Sequence, residues 1–248
     1  KFIDLLPFKL TDSQNVVIKE ILNDLTSQSV MNRLLQGDVG SGKTVVALIA
    51  ALAIIFDGYQ VAFMAPTEIL AQQHYATLSR LFSFGRIIER QETHIVLSLP
   101  GFDKTITMGI LIGSMKKSSK KKIVEKLYKK EINIVVGTHA LIQDDVDIPN
   151  MGLAVVDEQH RFGVEQRATL RNKSNNSHML VMSATPIPRS LNLTVYGDLD
   201  ISVLSELPEG RKEIKTVFIN DEDKIKAYEF TRQQVEKGRQ AFVLCPLI

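Results

Sequence analysis

The sequence predicts an α/β fold with a mainly parallel sheet flanked by helices, and three observations carry that prediction. Apolar runs of strand length alternate with helix-length segments along most of the chain. Those runs are continuous, with no clean two-residue period, which is the pattern of strands covered on both faces. One of them, around Asn32-Arg33-Leu34-Leu35, leads into the string LQGDVGSGKT, which satisfies G-x-x-x-x-G-K-T at Gly37, Gly42, Lys43 and Thr44.

In chain order, Thr11-Asp12 caps a helix whose apolar stripe is Val16, Val17, Ile21, Leu22 and Leu25. The glycine-rich loop follows its strand, and Val45 to Phe56 is an apolar helix ended by Asp57-Gly58. Gln60 to Ala65 reads as a buried strand. Pro66-Thr67-Glu68 opens a helix with Leu70, Ala71, Tyr75, Leu78 and Leu81 on one face. From Ser83 to Thr105 the periodicity weakens, and the stretch reads as an insertion able to form a hairpin, with Ile95 to Leu99 as its candidate strand. Thr107 to Ile112 is a strand, Ser118 to Lys130 a lysine-heavy helix, and Ile132 to Val136, Gly152 to Val156 and Met179 to Met182 are strands. A short helix is predicted over Val164 to Arg171 and a turn over Lys173 to Ser177. After Pro186 the chain reads as loop through Leu207-Pro208-Glu209-Gly210, a boundary signal. Ile214 to Ile219, Lys224 to Lys237 and Gln240 to Leu244 then read as one strand–helix–strand unit. The expected organisation is one domain over 1–210 and the start of a second α/β domain over 211–248. The chain opens on Lys1 and closes on a strand-like run, so both ends read as cut from something longer.

Bulk properties narrow the chemistry little. With 44% hydrophobic and 23% charged residues the composition is that of an ordinary globular protein. A net charge of +2 gives no bulk argument for a nucleic-acid partner, so any such argument must rest on local clusters. The single cysteine, Cys245, excludes an internal disulfide framework and suits a reducing cytoplasm. Flanked by Phe242, Val243 and Leu244, its thiol is expected to be buried. The longest apolar run, Val45 to Phe56, is too short to span a bilayer, so no membrane association is expected. The five histidines and one cysteine lack metal-ligand spacing, so no zinc site is expected.

The glycine-rich loop specifies phosphate chemistry. Glycines let the backbone wrap closely around phosphate oxygens, and the following helix presents free N–H groups and the positive end of its dipole. Gly37, Gly40, Ser41 and Gly42 form that cradle, Lys43 reaches the outer phosphates, and the Thr44 hydroxyl ligates Mg²⁺. In open parallel sheets ligands bind beyond the carboxyl ends of strands. There the strand GLAVV ends in Asp157-Glu158, an acidic pair suited to holding the metal (Asp157) and to orienting and deprotonating the attacking water (Glu158).

Gln159-His160 completes D-E-Q-H, and Ser183-Ala184-Thr185 closes the next strand. D-E-x-H with S-A-T after a phosphate loop resembles the superfamily 2 helicases and translocases. The longer strings LPFKLTDSQ, VVGTHALIQ, DEQHRFGVEQR, SATPIPRSL, LTVYGDLD and LPEGR resemble the RecG family of branched-DNA helicases within it. The resemblance covers nearly the whole chain outside about Ser83 to Thr105. It implies a RecA-like P-loop domain that binds ATP and Mg²⁺ and serves as the first motor domain of an enzyme acting on forks and Holliday junctions. It further implies that Gln14 reads the adenine edge, with Phe8 either near the base or stapling the first helix. His160, Ser183 and Thr185 would link the nucleotide site to DNA movement, the lesser alternative for His160 being a satisfied core histidine. Pro66-Thr67, Gly113-Ser114 and Gly137-Thr138 would touch one DNA strand by its phosphates. The run Lys116, Lys117, Lys120, Lys121 and Lys122 is ordinarily a solvated face, and its place after Gly113-Ser114 suits backbone contact.

The resemblance also implies parts beyond this chain: an N-terminal wedge domain, the rest of motor domain 2, and the arginine fingers that domain carries. A chain with one lobe would bind ATP·Mg and hydrolyse it slowly. Two other readings stay open. One is the transcription–repair coupling translocase, which shares the HRFG and TPIPR strings. The other is a P-loop nucleotide switch that moves no DNA.

Overall fold

In the computed structural model the described residues are 2–157, 177–185, 199–206, 208 and 215–245. The chain divides into two units, Lys1–Glu209 and Gly210–Ile248. Among the described residues the first unit carries nine strands: β1 (Asn32–Gly37), β2 (Gln60–Met64), β3 (Arg86–Arg90), β4 (His94–Ser98), β5 (Thr105–Leu111), β6 (Ile134–Gly137), β7 (Met151–Asp157), β8 (His178–Ser183) and β9 (Asp200–Leu204). They form one sheet in the order β3-β4-β5-β6-β2-β7-β8-β1-β9. Every pairing is parallel except β3–β4 and β4–β5. The hairpin anticipated between Ser83 and Thr105 is β3–β4, which extends the sheet at one edge. There β3 is exposed throughout, and Arg86, Glu89 and Arg90 charge an edge that would otherwise invite further pairing.

The continuous apolar strands hide a period of two. Val61, Phe63, Leu153, Val155, Ile134 and Val136 pack on one face with helices α1 (Asp12–Leu25), α2 (Lys43–Phe56) and α3 (Glu68–Leu81). Ala62, Met64, Ala154, Val156 and Val135 pack on the other, with Ile123 and Leu127 of α4 (Lys117–Tyr128). Both faces are buried, so the central positions of these strands are apolar. α2 buries ten of its fourteen residues, which explains its all-round apolar character.

Two polar side chains tie neighbouring segments to the sheet. Gln60, 2% exposed, donates through Nε2 to Leu127 O (3.0 Å) at the end of α4 and to Ile132 O (2.9 Å). A Gln60→Leu substitution keeps the volume but deprives both carbonyls of this donor. Urea unfolding is expected to show a loss of about 1–3 kcal/mol. His178 accepts at Nδ1 from Met31 N (3.0 Å), and burial holds its pKa below the ordinary value, in keeping with that acceptor role.

Three expectations are corrected. The stretch after Pro186 is not all loop, because β9 pairs with β1 from Arg33↔Asp200 to Gly37↔Leu204. As an edge strand it alternates exposed Val203 with buried Ser202 and Leu204, too short a pattern to stand out from loop. In the second unit the helix is found as α5 (Lys224–Glu236), but residues 215–220 and 240–245 are not strands. Strands need neighbours, and none of this unit's described residues is buried. Cys245 is exposed, since Phe242, Val243 and Leu244 beside it are 89%, 70% and 96% exposed. The short helix expected over Val164 to Arg171 lies outside the described residues.

Candidate active site

The parallel register brings the candidate residues to one edge of the sheet. Leu111 of β5 is level with Gly137 of β6, Gly137 with Met64 of β2, and Met64 with Val156 of β7. Asp157 is then level with Met182, and Ser183 of β8 with Gln36 of β1. This line sorts the candidates. Gly113-Ser114, Gly137-Thr138 and Pro66-Thr67 follow the ends of the adjacent strands β5, β6 and β2. Asp157, Ser183 and the phosphate loop belong to the adjacent strands β7, β8 and β1.

The loop from Gly37 to Thr44 is built by its glycines and held by α1. Gly40 and Gly42 have φ of 80° and 90°, and Gly42 is the N-cap of α2. A Cβ on Gly42 would lie 2.2 Å from Gln14 Nε2. Gln14 comes so close because it serves twice. Its Oε1 closes the capping box of α1 on Thr11 N (3.0 Å), while its Nε2 donates to Ser41 O (2.7 Å). Lys43 Nζ arches back over the loop to Gly37 O (2.6 Å) and Asp38 O (3.0 Å). Ser41 is fully buried, and its Oγ has no hydrogen-bond partner among the described residues. An orphaned hydroxyl inside a glycine cradle is what a phosphate oxygen would satisfy. Beside it lies a cavity of about 450 Å³, lined by Phe8, Gln14, Gly40, Gly42, Lys43 and Thr44 among others. That is a fitting size for a nucleotide. Phe8, 43% exposed, also lines the cavity.

Asp157 is 8% exposed and meets His74 of α3, with Asp157 Oδ2 2.6 Å from His74 Nε2. Among the described residues no three His, Cys, Asp or Glu side chains form a metal-holding group. A single carboxylate and the Thr44 hydroxyl, both hard oxygen donors, are the set that suits Mg²⁺ shared with phosphates. Ser183 is fully buried and turns onto Thr185: their hydroxyls are 3.1 Å apart, and Thr185 N donates to Ser183 Oγ (3.3 Å). Gln36 Nε2 donates to Thr185 O (3.3 Å), linking S-A-T to the loop's own strand. Glu158 and His160 lie outside the described residues.

On the other stretch of the edge, the proposed phosphate contacts have partners within the protein. Thr67 is the N-cap of α3, its Oγ1 accepting from Leu70 N (3.3 Å). Ser114 N donates to Glu68 Oε1 (2.8 Å), and the Ser114 bonds hold the Glu68 carboxyl below its usual range. Thr138 is largely buried, 8% exposed. Gly137 is a glycine for lack of room, since a Cβ would lie 2.4 Å from Leu111 O. Lys116 stands at the N-cap position of α4 with no capping side-chain bond, and Lys117, Lys120, Lys121 and Lys122 lie within its first turns. Sequence reasoning missed His74 and Glu68. Nothing local to α3 says which strand end it will face.

Fold and site together define a P-loop nucleotide-binding domain with a RecA-like parallel sheet. The chain belongs to the DEAD/DEAH box helicase family, whose model matches residues 11–194. It is 50% identical over 248 residues to the ATP-dependent DNA helicase RecG of Thermotoga maritima, covering 100% of this chain and 29% of that protein. The RecG of Bacillus subtilis is 47% identical, with 100% of this chain and 34% of that protein covered. The chain thus spans about a third of the length of these relatives. Among solved structures, RecG bound to a three-way DNA junction superposes with a TM-score of 0.80 at 47% identity, covering 100% of this chain and 31% of that one. Mss116p bound to ssRNA and AMP-PNP, at 19% identity and a TM-score of 0.61 over 92% of this chain and 48% of that one, shares the fold. No helix among the described residues is long and apolar enough to cross a membrane.

Proposed function

We propose that this chain is the ATP-binding first motor domain, over about 1–210, of a RecG-type DNA helicase that acts on forked and branched DNA in recombination and repair. The observation that carries the reading is the register of one sheet edge, which sets the phosphate loop, Asp157 and S-A-T side by side. The identity of 47–50% over 248 residues to RecG proteins supports the substrate class.

In this reading ATP·Mg²⁺ occupies the cavity beside the loop. Gln14 and Phe8 take the base, Gly37, Gly40, Ser41 and Gly42 wrap the phosphates, and Lys43 lies against the outer ones. Thr44 and Asp157 would hold Mg²⁺, which would supply positive charge against the phosphates. Glu158 orients the attacking water. Ser183 and Thr185, with His160, carry the state of the phosphates toward the DNA stretch of the edge. Pro66-Thr67, Gly113-Ser114 and Gly137-Thr138 meet one strand by its backbone, without reading sequence. Residues 211–248 begin the second lobe, which supplies the arginine fingers, and an N-terminal wedge domain splits the junction. With its lone cysteine the chain fits the cytoplasm.

The test is the ATPase of the intact protein. Forked DNA is expected to stimulate it, in a way that falls steeply as salt rises. The 248-residue chain alone is expected to turn over about 10³–10⁵-fold more slowly, the worth of an arginine finger. Absence of stimulation by forked DNA would leave the P-loop switch as the better reading.

A further inference from the structure

Asp157 is the acid assigned to the metal, yet its conformation is not set by β7 alone. The Asp157 and His74 side chains are 11% and 13% exposed, and they meet at 2.6 Å. A carboxylate only accepts, so the proton on this bond is carried by His74 Nε2. The imidazole is placed in turn by Phe63, whose ring centroid lies 4.8 Å away and which is fully buried in β2. β2 and β7 are neighbours in the sheet, so ring, imidazole and carboxylate form a short chain of contacts between two strands and a helix. Among the described residues the Asp157 carboxylate has no second side-chain hydrogen bond. A carboxylate left to itself turns about its Cβ–Cγ bond, and pinning Oδ2 fixes which way Oδ1 faces.

We infer that His74 is a positioning residue for Asp157: it holds Oδ2 so that Oδ1 is presented to Mg²⁺ or its water. The inference rests on the reading of Asp157 as the metal-holding acid. Hydrogen-bond partners of metal-holding groups commonly matter by 10–100-fold in metal affinity. His74 belongs to α3, and the first residue of that helix follows Thr67, its N-cap. The same helix therefore starts at the proposed DNA stretch of the edge and reaches the metal-holding acid within its second turn.

The experiment is calorimetric titration of the intact protein with the non-hydrolysable analogue AMP-PNP, in Mg²⁺ and in EDTA. The ratio of the two affinities isolates the metal's contribution from that of the loop. His74→Ala is expected to lower this ratio about 10–100-fold while leaving the EDTA affinity unchanged. His74→Gln, whose amide can donate to the same oxygen, is expected to restore most of it. Asp157→Ala is expected to remove the metal's contribution altogether. A normal ratio in His74→Ala, a loss equal in Mg²⁺ and EDTA, or no recovery in His74→Gln would each overturn the inference. If Asp157→Ala also kept the wild-type ratio, the assignment of Asp157 itself would be the one at fault.

Discussion

Lys43→Ala is expected to lower the fork-stimulated ATPase of the intact protein by about 10²–10³-fold, as losing a preorganised charge beside a reacting group commonly does. Lys43 is the first residue of α2, and its ammonium already lies over the loop, bonded to Gly37 O and Asp38 O. Those acceptors are backbone carbonyls of the cradle, so the charge is fixed where phosphate oxygens would arrive. The two lost hydrogen bonds bear on the fold, and unfolding free energy should move by about 1 kcal/mol. Steady-state turnover and thermal unfolding on the same preparation separate the two effects. Turnover within about threefold of wild type would remove Lys43 from the phosphate role, since the expectation starts at about 10².

Gly42→Ala is expected to be the most damaging small change in the nucleotide site, at about 2–5 kcal/mol, and the figure has two parts. Holding an L residue in the left-handed region costs about 1–2 kcal/mol, and Gly42 sits at a φ of 90°. The new Cβ would also drive Gln14 Nε2 off, from 2.2 Å, breaking its bond to Ser41 O and leaving a buried amide unsatisfied at about 1–3 kcal/mol. Against a typical total stability of about 5–15 kcal/mol this is a large share. Denaturant unfolding reads the sum, and a double-mutant cycle with Gln14→Ala separates the parts. In the Gln14→Ala background the clash is gone, so Gly42→Ala should then show only the backbone strain. If its effect were the same in both backgrounds, the proposed contact with Gln14 would play no part.

What was legible in the sequence was whatever is contiguous. The phosphate loop needs its glycines, lysine and threonine within one turn of chain, so Gly37 to Thr44 announces itself. β2 and β7 announce themselves because burial on both faces leaves every position apolar or glycine except Gln60 and Asp157 at their ends. Thr11-Asp12 marks a helix start because an N-cap and the first turn it serves are adjacent in the chain. What was not legible depends on pairing. β9 is recognisable only beside β1, since alone it is a five-residue stretch with an aspartate and two serines among its neighbours. His74 and Asp157 are 83 residues apart, and nothing in either neighbourhood names the other. Glu68 looks like an ordinary acidic residue in a first helical turn until the sheet carries Ser114 to it. The second unit failed differently: its apolar stretches 215–220 and 240–245 have strand composition, but composition supplies no neighbours.

β9 also closes the frame around the phosphate-loop strand. It is the last described strand of the first unit, and it runs parallel to β1 with Gly37 opposite Leu204. Just beyond it, Glu206 Oε2 accepts from Ser13 N in the first turn of α1 (3.3 Å). The next residue of that helix is Gln14, whose amide holds Ser41 O. The strand that ends in the phosphate loop is therefore braced by backbone on its outer side, and the helix that grips the loop is tied to the same edge by one carboxylate.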